Sequence, residues 1–353
     1  MPSWWDRFGQ EWAKNGLFDD PTFAQADAGW AYIGQAPPTV EQFNSTFQWW
    51  DNKDNWLYGQ IGNVIADAGM LPDHSDLTQL LRAIKGKQKI LLTGSYTVWV
   101  DSVNGNDANT GAQGSPWRTL QHAYEWAIAW TEPCGNWFVI QMMPGTYEPL
   151  YCPMPYNGGI LVSGDINNQR AYLIKNTNGG AVYCCYGSWV AVQGLSVEAQ
   201  GTDIDYSPSG CGFTATSGGC VVYKDIAFGP CSAYHMWGNA GGQCWSWGME
   251  ITVGPHYTIY GGARAHAMSS AAGIATLVDC PITIQNNPTF SLGFVAATCL
   301  GYGQAWGNTF TGTCIGPHGF VDTNSVITLG GLNPDSYLPG TTPAYIGTGG
   351  MFV

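Results

Sequence analysis

The stretch from residue 98 to residue 147 constrains the fold most, because it places a strand, a turn-rich loop, a helix and a second strand in close succession. Val98–Val100 are β-branched or aromatic and predict a strand, and the Asn, Gly and Asp residues after them predict a loop. Thr119 is a suitable helix cap. The apolar residues that follow recur at helical spacing: Leu120, Ala123, Tyr124 and Ala127. We expect this stripe to cover the end of a sheet.

A second strand is predicted from Trp137 to Met143, a continuous apolar run that Pro144 and Gly145 close. Such a run is typical of a strand buried on both faces. The loop NGNDANTGAQGSPWRTLQHA and the later PGTY, in this order, resemble the entry to a right-handed parallel β-helix of the pectate-lyase-like type. The resemblance implies a mainly β solenoid whose first turn is covered by the helix.

Composition agrees with a strand-rich and loop-rich fold. The 48 Gly and 20 Pro, with only 10% charged residues, do not suit a helical bundle, while 17 Trp and 18 Tyr supply large apolar areas. With 353 residues, the chain can build one sizeable core or two domains.

The net charge of -13 argues against two classes of partner. Nucleic acids and anionic membranes attract basic surfaces, and no basic stripe is present. No segment approaches the roughly 20 apolar residues that a membrane span needs. The N-terminus also lacks the apolar core of a secretory signal. We therefore expect no nucleic acid, no membrane insertion and no cofactor.

All eleven cysteines lie between Cys134 and Cys314. Their number is odd, and no CxxC or His-rich cluster indicates zinc, so we expect no metal site. Free thiols packed inside the solenoid are the favoured interpretation. Disulfides formed after release from a cell are the alternative.

Changes in composition divide the chain into four parts. Residues 1–90 have a helical pattern, residues 91–147 hold the linker, the capping helix and the first rung, and residues 148–330 form the β-helix. Residues 331–353 are a Gly-, Pro- and Thr-rich tail that resembles the terminal tails of phage fibre proteins, and the resemblance implies a strand that wraps a trimer. A flexible end is the alternative. In the first part, apolar spacing breaks near Asp51–Asn55 and predicts two helical pieces, with a third helix over Asp76–Ile84.

The first part resembles the N-terminal region of tail-fibre-like proteins of tailed phages and prophages. The residues that carry the resemblance are Gln25–Gly34, the APPT turn at 36–39, Phe43 with Asn44, Lys53–Tyr58 and Asp76–Ile84. It implies a small α-helical domain that attaches to a baseplate or to another fibre protein, and a homotrimeric assembly. We expect the attachment surface to include Phe43, Phe47, Trp50, Trp56, Leu80 and Ile84.

After Tyr147, a degenerate short frame recurs along the chain. Its central residues, Leu195, Ile226, Met249 and Ile282, follow one another at intervals of 31, 23 and 33 residues. Solenoid coils with variable loops give such spacing. A β-sandwich with short strands is the alternative, and the capping helix favours the solenoid.

Candidate catalytic residues are few. Asp203 and Asp205 alternate in the loop QGTDIDYSPSG and could flank a glycosidic bond, but calcium binding or simple solvation explains them equally well. Cations are too scarce to neutralise a uronate for elimination. His235 and His266 lie in Gly-rich stretches that suggest loops, with no nucleophile motif beside them.

Aromatic side chains give the stronger functional signal. Trp237, Trp245, Trp247 and Tyr257 lie among small polar residues, and flat rings beside such donors suit the faces of sugars. The alternative is that these rings fill the core or an interface between subunits.

The sequence thus favours a structural virion protein of a tailed phage. We expect a tail fibre that is assembled in the bacterial cytoplasm, released by lysis and able to recognise a host glycan or outer-membrane receptor. The alternative is a tailspike that depolymerises surface polysaccharide as a hydrolase or a lyase, and a third hypothesis is a fibre or baseplate connector without receptor contact. We favour binding over catalysis.

Overall fold

The structure is a computed structural model that describes residues 40–67, 80, 84, 89–201, 209–246 and 257–353. The chain divides into two compact units, Met1–Gln88 and Lys89–Val353. Within the described residues, no helix has the length and apolar character that a bilayer crossing requires.

In the first unit, helix α1 runs without interruption over Val40–Asp67. The prediction of two helical pieces is therefore wrong. Residues 51–55 contain no Gly or Pro, and Asn52, Lys53 and Asp54 are exposed, where polar side chains are compatible with a helix. Leu80 and Ile84 are helical, and the rest of the predicted third helix lies outside the described residues.

The second unit is a parallel β-solenoid of about seven turns, as the sequence predicts, and not a β-sandwich. Its strands stack in register on three faces. Face A contains β2 (Tyr96–Val100), β4 (Trp137–Met142), β7 (Gly159–Ser163), β10 (Trp189–Ala199), β12 (Cys220–Cys231), β14 (Gln243–Ser246), β17 (Ile274–Thr276), β20 (Tyr302–Gln304), β23 (Val326–Thr328) and β25 (Met351–Phe352). Face B contains β5 (Gly145–Tyr147), β8 (Tyr172–Asn176), the second halves of β10 and β12, β15 (Tyr257–Ile259), β18 (Pro281–Ile284) and β21 (Thr309–Thr311). Face C contains β6 (Leu150–Cys152), β9 (Val182–Cys184), β11 (Phe213–Ala215), β13 (Tyr234–Asn239), β16 (Ala263–Ser270), β19 (Phe290–Thr298), β22 (Gly319–Val321) and β24 (Tyr345–Ile346).

Faces A and B are joined by two strands that bend around the same corner. Gly194 in β10 and Asp225 in β12 occupy equivalent positions, since Gln193 pairs with Lys224 and Leu195 pairs with Ile226. Both have a left-handed backbone, with φ of +65° and +51° respectively. A Cβ on Gly194 would lie 2.8 Å from the backbone nitrogen of Ile166, so glycine suits this position.

Side chains alternate between the core and the outer surface along each strand. In β4, Phe138, Ile140 and Met142 are buried, whereas the residues between them are half-buried. The prediction that this strand is buried on both faces is therefore wrong, because its outward-facing residues Trp137, Val139 and Gln141 are only half-buried.

Helix α2 (Leu120–Trp130) covers the first turn, as the sequence predicts. Thr119 Oγ1 accepts a hydrogen bond from the His122 amide at 3.1 Å and donates one to Asp107 Oδ2 at 2.9 Å. The same Asp107 carboxylate accepts from the backbone amides of Arg118 and Thr119. The apolar stripe of the helix is buried against the core: Leu120, Ala123, Tyr124 and Ala127. A short two-stranded sheet, β1 (Ile90–Leu91) with β3 (Thr131–Glu132), lies beside it.

The structure contains the predicted internal repeat, but one of its four central residues was assigned to the wrong position in the sequence. Leu195 pairs with Ile226, as expected. In the next turn Ala227 pairs with Thr258, and Tyr257 pairs with Ile282. Tyr257 therefore takes the position that the sequence frame assigns to Met249, which lies outside the described residues.

Residues 331–353 belong to the solenoid. They contain the short helix α3 (Pro334–Tyr337), and their two strands extend faces A and C. Tyr345 pairs with Phe320 and Met351 pairs with Val326, which gives this segment a place in the last turn and not that of a separate tail.

The eleven cysteines are free thiols, and most are buried, in agreement with the favoured interpretation. Cys134 and Cys299 are exposed and Cys220 is half-buried. Burial raises the pKa of Cys211 to about 12, so this thiol packs as a neutral apolar group.

The two histidines that the sequence suggests to be in loops lie on strands inside the core. His235 in β13 and His266 in β16 are fully buried, and their Nδ1 atoms are 2.9 Å apart. The rings of Phe228, Phe290 and Phe294 enclose them at centroid distances between 5.0 and 6.3 Å. We call these five residues the aromatic–imidazole cluster.

Candidate functional site

The outer side of face A carries aromatic and amide side chains in rows that follow the solenoid axis. Strand alternation places residues i, i+2 and i+4 of each strand on this surface. The register then aligns Trp99 with Gln141, Gln141 with Ser163, and Ser163 with Gln193. We call the following residues the aromatic–amide face: Trp99, Trp137, Trp189, Trp245, Tyr302, Gln141, Gln193, Gln243 and Gln304.

Two of the tryptophan rings lie against each other. The centroids of Trp137 and Trp189 are 5.2 Å apart at an interplanar angle of 51°. Gly159 pairs with Trp137, and a Cβ there would lie only 2.4 Å from the Trp137 ring. The missing side chain at Gly159 thus lets the Trp137 ring lie close to the sheet. Both rings are half-buried, and Trp245 is 43% exposed.

Hydrogen bonds hold several of the amides in place. Gln141 Nε2 donates to the carbonyl oxygen of Ser163 at 3.0 Å, and Gln193 Nε2 donates to Ser163 Oγ at 3.1 Å. Gln304 Nε2 donates to the Tyr302 hydroxyl at 3.1 Å. These side chains therefore present a preorganised set of polar atoms between the rings.

The charge on this face is low. The described strand residues of face A, taken to the corner at Gly194 and Asp225, include no Asp or Glu and a single cation, Lys224. A pair of carboxylates on the sheet surface, which glycoside hydrolysis requires, is therefore not available from these strands. The arrangement suits the binding of a neutral, hydroxyl-rich ligand.

Of the predicted glycan-binding residues, the structure places one on this face. Trp245 is outward on β14, whereas Trp237 is 5% exposed on face C and donates from Nε1 to Ser270 Oγ at 2.9 Å. Tyr257 is 1% exposed, and its hydroxyl donates to the Tyr223 carbonyl oxygen at 3.1 Å. Tyr257 therefore belongs to the core and is not accessible to a ligand. Trp247 lies outside the described residues, as do Asp203 and Asp205.

The sequence prediction did not include Trp99, Trp137, Trp189 or Tyr302. A repeated signal was present, because WFVIQ at 137–141 and WVAVQ at 189–193 both place Trp and Gln four residues apart. Alternation puts the ends of such a pentapeptide on the same side of a strand. The pattern becomes visible only when the strands are aligned by register.

The predicted attachment residues are partly described. Phe47 and Trp50 form an edge-to-face pair on α1 with centroids 5.4 Å apart, and Trp56 is 67% exposed. Leu80 is half-buried and Ile84 is exposed. Phe43 lies on α1, and its side chain is outside the described set.

Face B carries an ionic network of described residues around Glu198. Glu198 accepts from Lys175 Nζ at 2.9 Å through Oε2 and from the Tyr260 hydroxyl at 3.1 Å through Oε1. Arg170 stacks over the Tyr260 ring at 4.1 Å. Burial and the neighbouring carboxylate both raise the pKa of Tyr260, so the phenol stays protonated. These contacts link turns of the solenoid and occupy both oxygens of Glu198.

Metal binding finds no support in the described part of the chain, where no three His, Cys, Asp or Glu side chains form a group that could hold an ion. The buried pair His235 and His266 is enclosed by phenylalanine rings and has no third ligand there.

Comparison of the sequence with protein-family models and with curated protein sequences gives no match. Among solved structures, Escherichia coli YbhC is 12% identical with a TM-score of 0.33, covering 72% of this chain and 76% of that chain. The pectin methylesterase from Aspergillus niger is 11% identical with a TM-score of 0.32, covering 74% of this chain and 87% of that chain. The GH136 lacto-N-biosidase from Eubacterium ramulus is 13% identical with a TM-score of 0.30, covering 97% of this chain and 70% of that chain. Likenesses of this size assign neither activity nor substrate to this chain.

Proposed function

We propose that this chain is a tail-fibre-type virion protein of a tailed phage, whose solenoid binds a host-surface glycan and whose N-terminal unit attaches it to the baseplate or to another fibre protein. The observation that carries the glycan part is the aromatic–amide face. The attachment part rests on the sequence resemblance of the first unit, and the exposed Trp50 and Trp56 of α1 are compatible with a docking role.

Sugars present flat C–H patches that are rimmed by hydroxyl groups. Trp189 and Trp245 offer apolar ring surface, and the glutamines between the rings offer both donors and acceptors. Because the rows run along the solenoid axis, an extended glycan would lie across successive strands and contact one turn after another.

The distribution of carboxylates favours binding over cleavage. The described strand residues of face A before the corner at Gly194 and Asp225 include no carboxylate, and Glu198 on face B is held by Lys175 and Tyr260. A hydrolase needs one carboxylic acid and one free carboxylate on opposite sides of the scissile bond.

The glycan-binding role is tested on an array of immobilised bacterial surface polysaccharides and neutral oligosaccharides. We expect the wild type to bind, and Trp189→Ala and Trp245→Ala each to weaken binding about 10-fold, which corresponds to about 1.4 kcal/mol. Trp130→Ala is the matched control, because Trp130 is 42% exposed on α2 and not on face A. Binding that is equal in all four proteins would contradict the role of this face, and release of reducing ends from the bound polysaccharide would indicate a depolymerase.

A homotrimer forms part of the proposal, since three copies would let weak single-site contacts gain in avidity. Size-exclusion chromatography with light scattering on the full chain should give a mass near three times 38.0 kDa. A stable monomer would remove the trimer from the proposal and would favour a chain that assembles only on the virion.

A further inference from the structure

A cleft of about 530 Å³ lies at one edge of the aromatic–amide face, where faces A and B meet in the first turns, and it shares Trp99 and Gln141 with that face. Trp99 and Gln141 reach it from adjacent strands that pair in register. Asp165 and Ile166 line it from the turn after β7, and Tyr172 lines it from the start of β8. The cleft volume lies within the range of about 300–1,000 Å³ that is usual for small-ligand sites.

The two polar side chains that line the cleft, Gln141 and Asp165, each have one hydrogen-bonded atom and one atom without a partner among the described residues. The Gln141 amide nitrogen is committed to the carbonyl oxygens of Ser163 and Gly164, at 3.0 and 3.3 Å. Its Oε1 has no partner among the described residues. Asp165 Oδ1 accepts from the Asn167 amide at 2.9 Å, which fixes the turn and leaves Oδ2 without a protein partner in the described chain.

Two aromatic residues complete the cleft. Trp99 and Tyr172 are half-buried, and neither Trp99 Nε1 nor the Tyr172 hydroxyl has a hydrogen-bond partner in the described part of the protein. Burial and the Asp165 carboxylate raise the pKa of Tyr172, so the phenol can donate. The cleft thus combines ring surface with two unpartnered acceptors, Gln141 Oε1 and Asp165 Oδ2, and two groups that can donate, Trp99 Nε1 and the Tyr172 hydroxyl.

The polar groups that line the cleft favour a neutral ligand over an anionic one. Carboxylate and amide oxygens accept hydrogen bonds from hydroxyl groups, and no Lys, Arg or His lines the cleft. A uronate or sialate placed next to Asp165 would meet a like charge without a compensating cation.

We infer that this cleft binds one neutral sugar unit of the glycan, with Asp165 and Gln141 accepting hydrogen bonds from its hydroxyl groups and Trp99 and Tyr172 contacting its C–H faces. The inference rests on the proposed glycan-binding function and adds the specificity for neutral sugars. Asp165 is then the residue that discriminates against acidic sugars.

The test is isothermal titration of the full chain with neutral trisaccharides of glucose, galactose, mannose and N-acetylglucosamine, and with trigalacturonate and sialyllactose. We expect at least one neutral sugar to bind and the two acidic sugars not to bind. Asp165→Asn keeps an oxygen for the Asn167 amide and should weaken neutral-sugar binding about 10-fold, because a hydrogen bond to a charged acceptor is stronger than one to a neutral amide oxygen. Trp99→Ala should weaken it by a similar factor.

The control for Asp165→Asn is Asp322→Asn. Asp322 is also half-buried and also accepts from a backbone amide, that of Thr323 at 2.7 Å, but it lies in the turn after β22. We expect this variant to bind as the wild type does. Circular dichroism of all variants at matched concentration separates loss of binding from loss of fold.

The outcomes separate the cleft from the face. If Trp189→Ala abolishes neutral-sugar binding while Asp165→Asn and Trp99→Ala do not change it, the cleft inference is overturned and the proposed function stands. Preference for an acidic sugar also overturns the cleft inference. If the wild type binds none of the sugars and none of the arrayed polysaccharides, both are overturned.

Discussion

The first and the later turns of the solenoid fill the same type of cross-section with different chemistry. The proximal core, inside β2 to β10, is mainly aliphatic, with Ile140, Val162 and Val192 at its centre. The distal core contains the aromatic–imidazole cluster, in which two imidazoles are sealed between phenylalanine rings. Among the described core residues, only the distal core contains basic groups, and burial keeps these imidazoles uncharged at neutral pH.

This difference shows that a solenoid with a uniform backbone can have turns whose stability depends differently on pH. Stability in such folds is close to a sum over turns and their interfaces, so a local change in core chemistry acts locally. Helix α2 covers the proximal end, and its N-terminus depends on Asp107. Acid should therefore act on the two regions through different groups.

The largest expected effect is acid weakening of the distal turns. Burial lowers the pKa of His235 to about 3 and holds the pKa of His266 well below 6.5. The unfolded chain takes up protons on both rings below pH 6.5 and the folded chain does not, so stability falls as pH decreases from 6.5 towards the folded pKa values. Between these pKa values, each ring lowers the free energy of unfolding by about 1.4 kcal/mol per pH unit.

Hydrogen exchange followed by mass spectrometry at pH 7.5, 5.5 and 4.5, corrected for intrinsic rates, measures this loss. Amides of β13, β16 and β19 should lose protection before those of β2, β4 and β7. The double variant His235→Leu/His266→Leu should remove the difference, whereas His122→Gln on α2 should keep it. Equal loss in both regions of the wild type would contradict the prediction.

In the proximal region, acid sensitivity should begin at lower pH. Burial by itself would raise the pKa of Asp107, but the hydrogen bonds from Thr119 and Arg118 outweigh it and place that pKa below 3.8. The stabilisation from Asp107 is therefore complete above its unfolded pKa and is lost only as pH falls below about 4. The same exchange experiment, extended to pH 3.5, should show α2 losing protection only at the lowest pH.

The next largest effect is expected from truncation of core side chains. Each truncation should destabilise the region that contains the substituted residue and leave the other region unchanged. Phe294→Ala removes a ring that stacks on His266 at 5.0 Å and meets Phe290 and Phe310. Phe138→Ala is its proximal counterpart and removes contacts to Tyr96 and Trp126. Each should lower the free energy of unfolding by about 3–5 kcal/mol.

Exchange protection at pH 7.5 locates the damage of each truncation. Phe294→Ala should expose the amides of β16 and β19, and Phe138→Ala those of β2 and β4. If either variant lowers protection evenly from the first turn to the last, the solenoid unfolds as one cooperative unit. The two cores would then not contribute separately to stability.

A smaller effect is expected at the helix cap. Thr119→Ala removes the hydroxyl that accepts from the His122 amide and donates to Asp107, and should cost about 1 kcal/mol. Thr119→Ser keeps both bonds and should stay within about 0.5 kcal/mol of the wild type. Hydrogen exchange of the α2 amides over a urea series distinguishes the two variants.

Sequence patterns predicted the solenoid class and its covered first turn because both depend on local information. The Thr119 cap and the stripe from Leu120 to Ala127 specify α2, and alternation with β-branched residues specifies the strands. The same patterns placed His235 and His266 in loops, since Gly-rich neighbours resemble turns until a neighbouring strand is available to pair with. The candidate site also depends on pairing between strands. Trp245 was therefore predicted as a surface residue, but Trp99, Trp137 and Trp189 were not.

The sequence alone determined that this chain builds a Gly-rich, aromatic, mainly parallel β structure with a helix-covered beginning, because helical and strand periodicities are properties of consecutive residues. Only the tertiary structure decided which aromatic rings reach the surface and which fill the core. Trp245 and Tyr257 are close in sequence and similar in chemistry, yet one is exposed on face A and the other is sealed against Tyr223. That choice depends on strand register between turns about 20–30 residues apart, and register is set by packing across the whole cross-section.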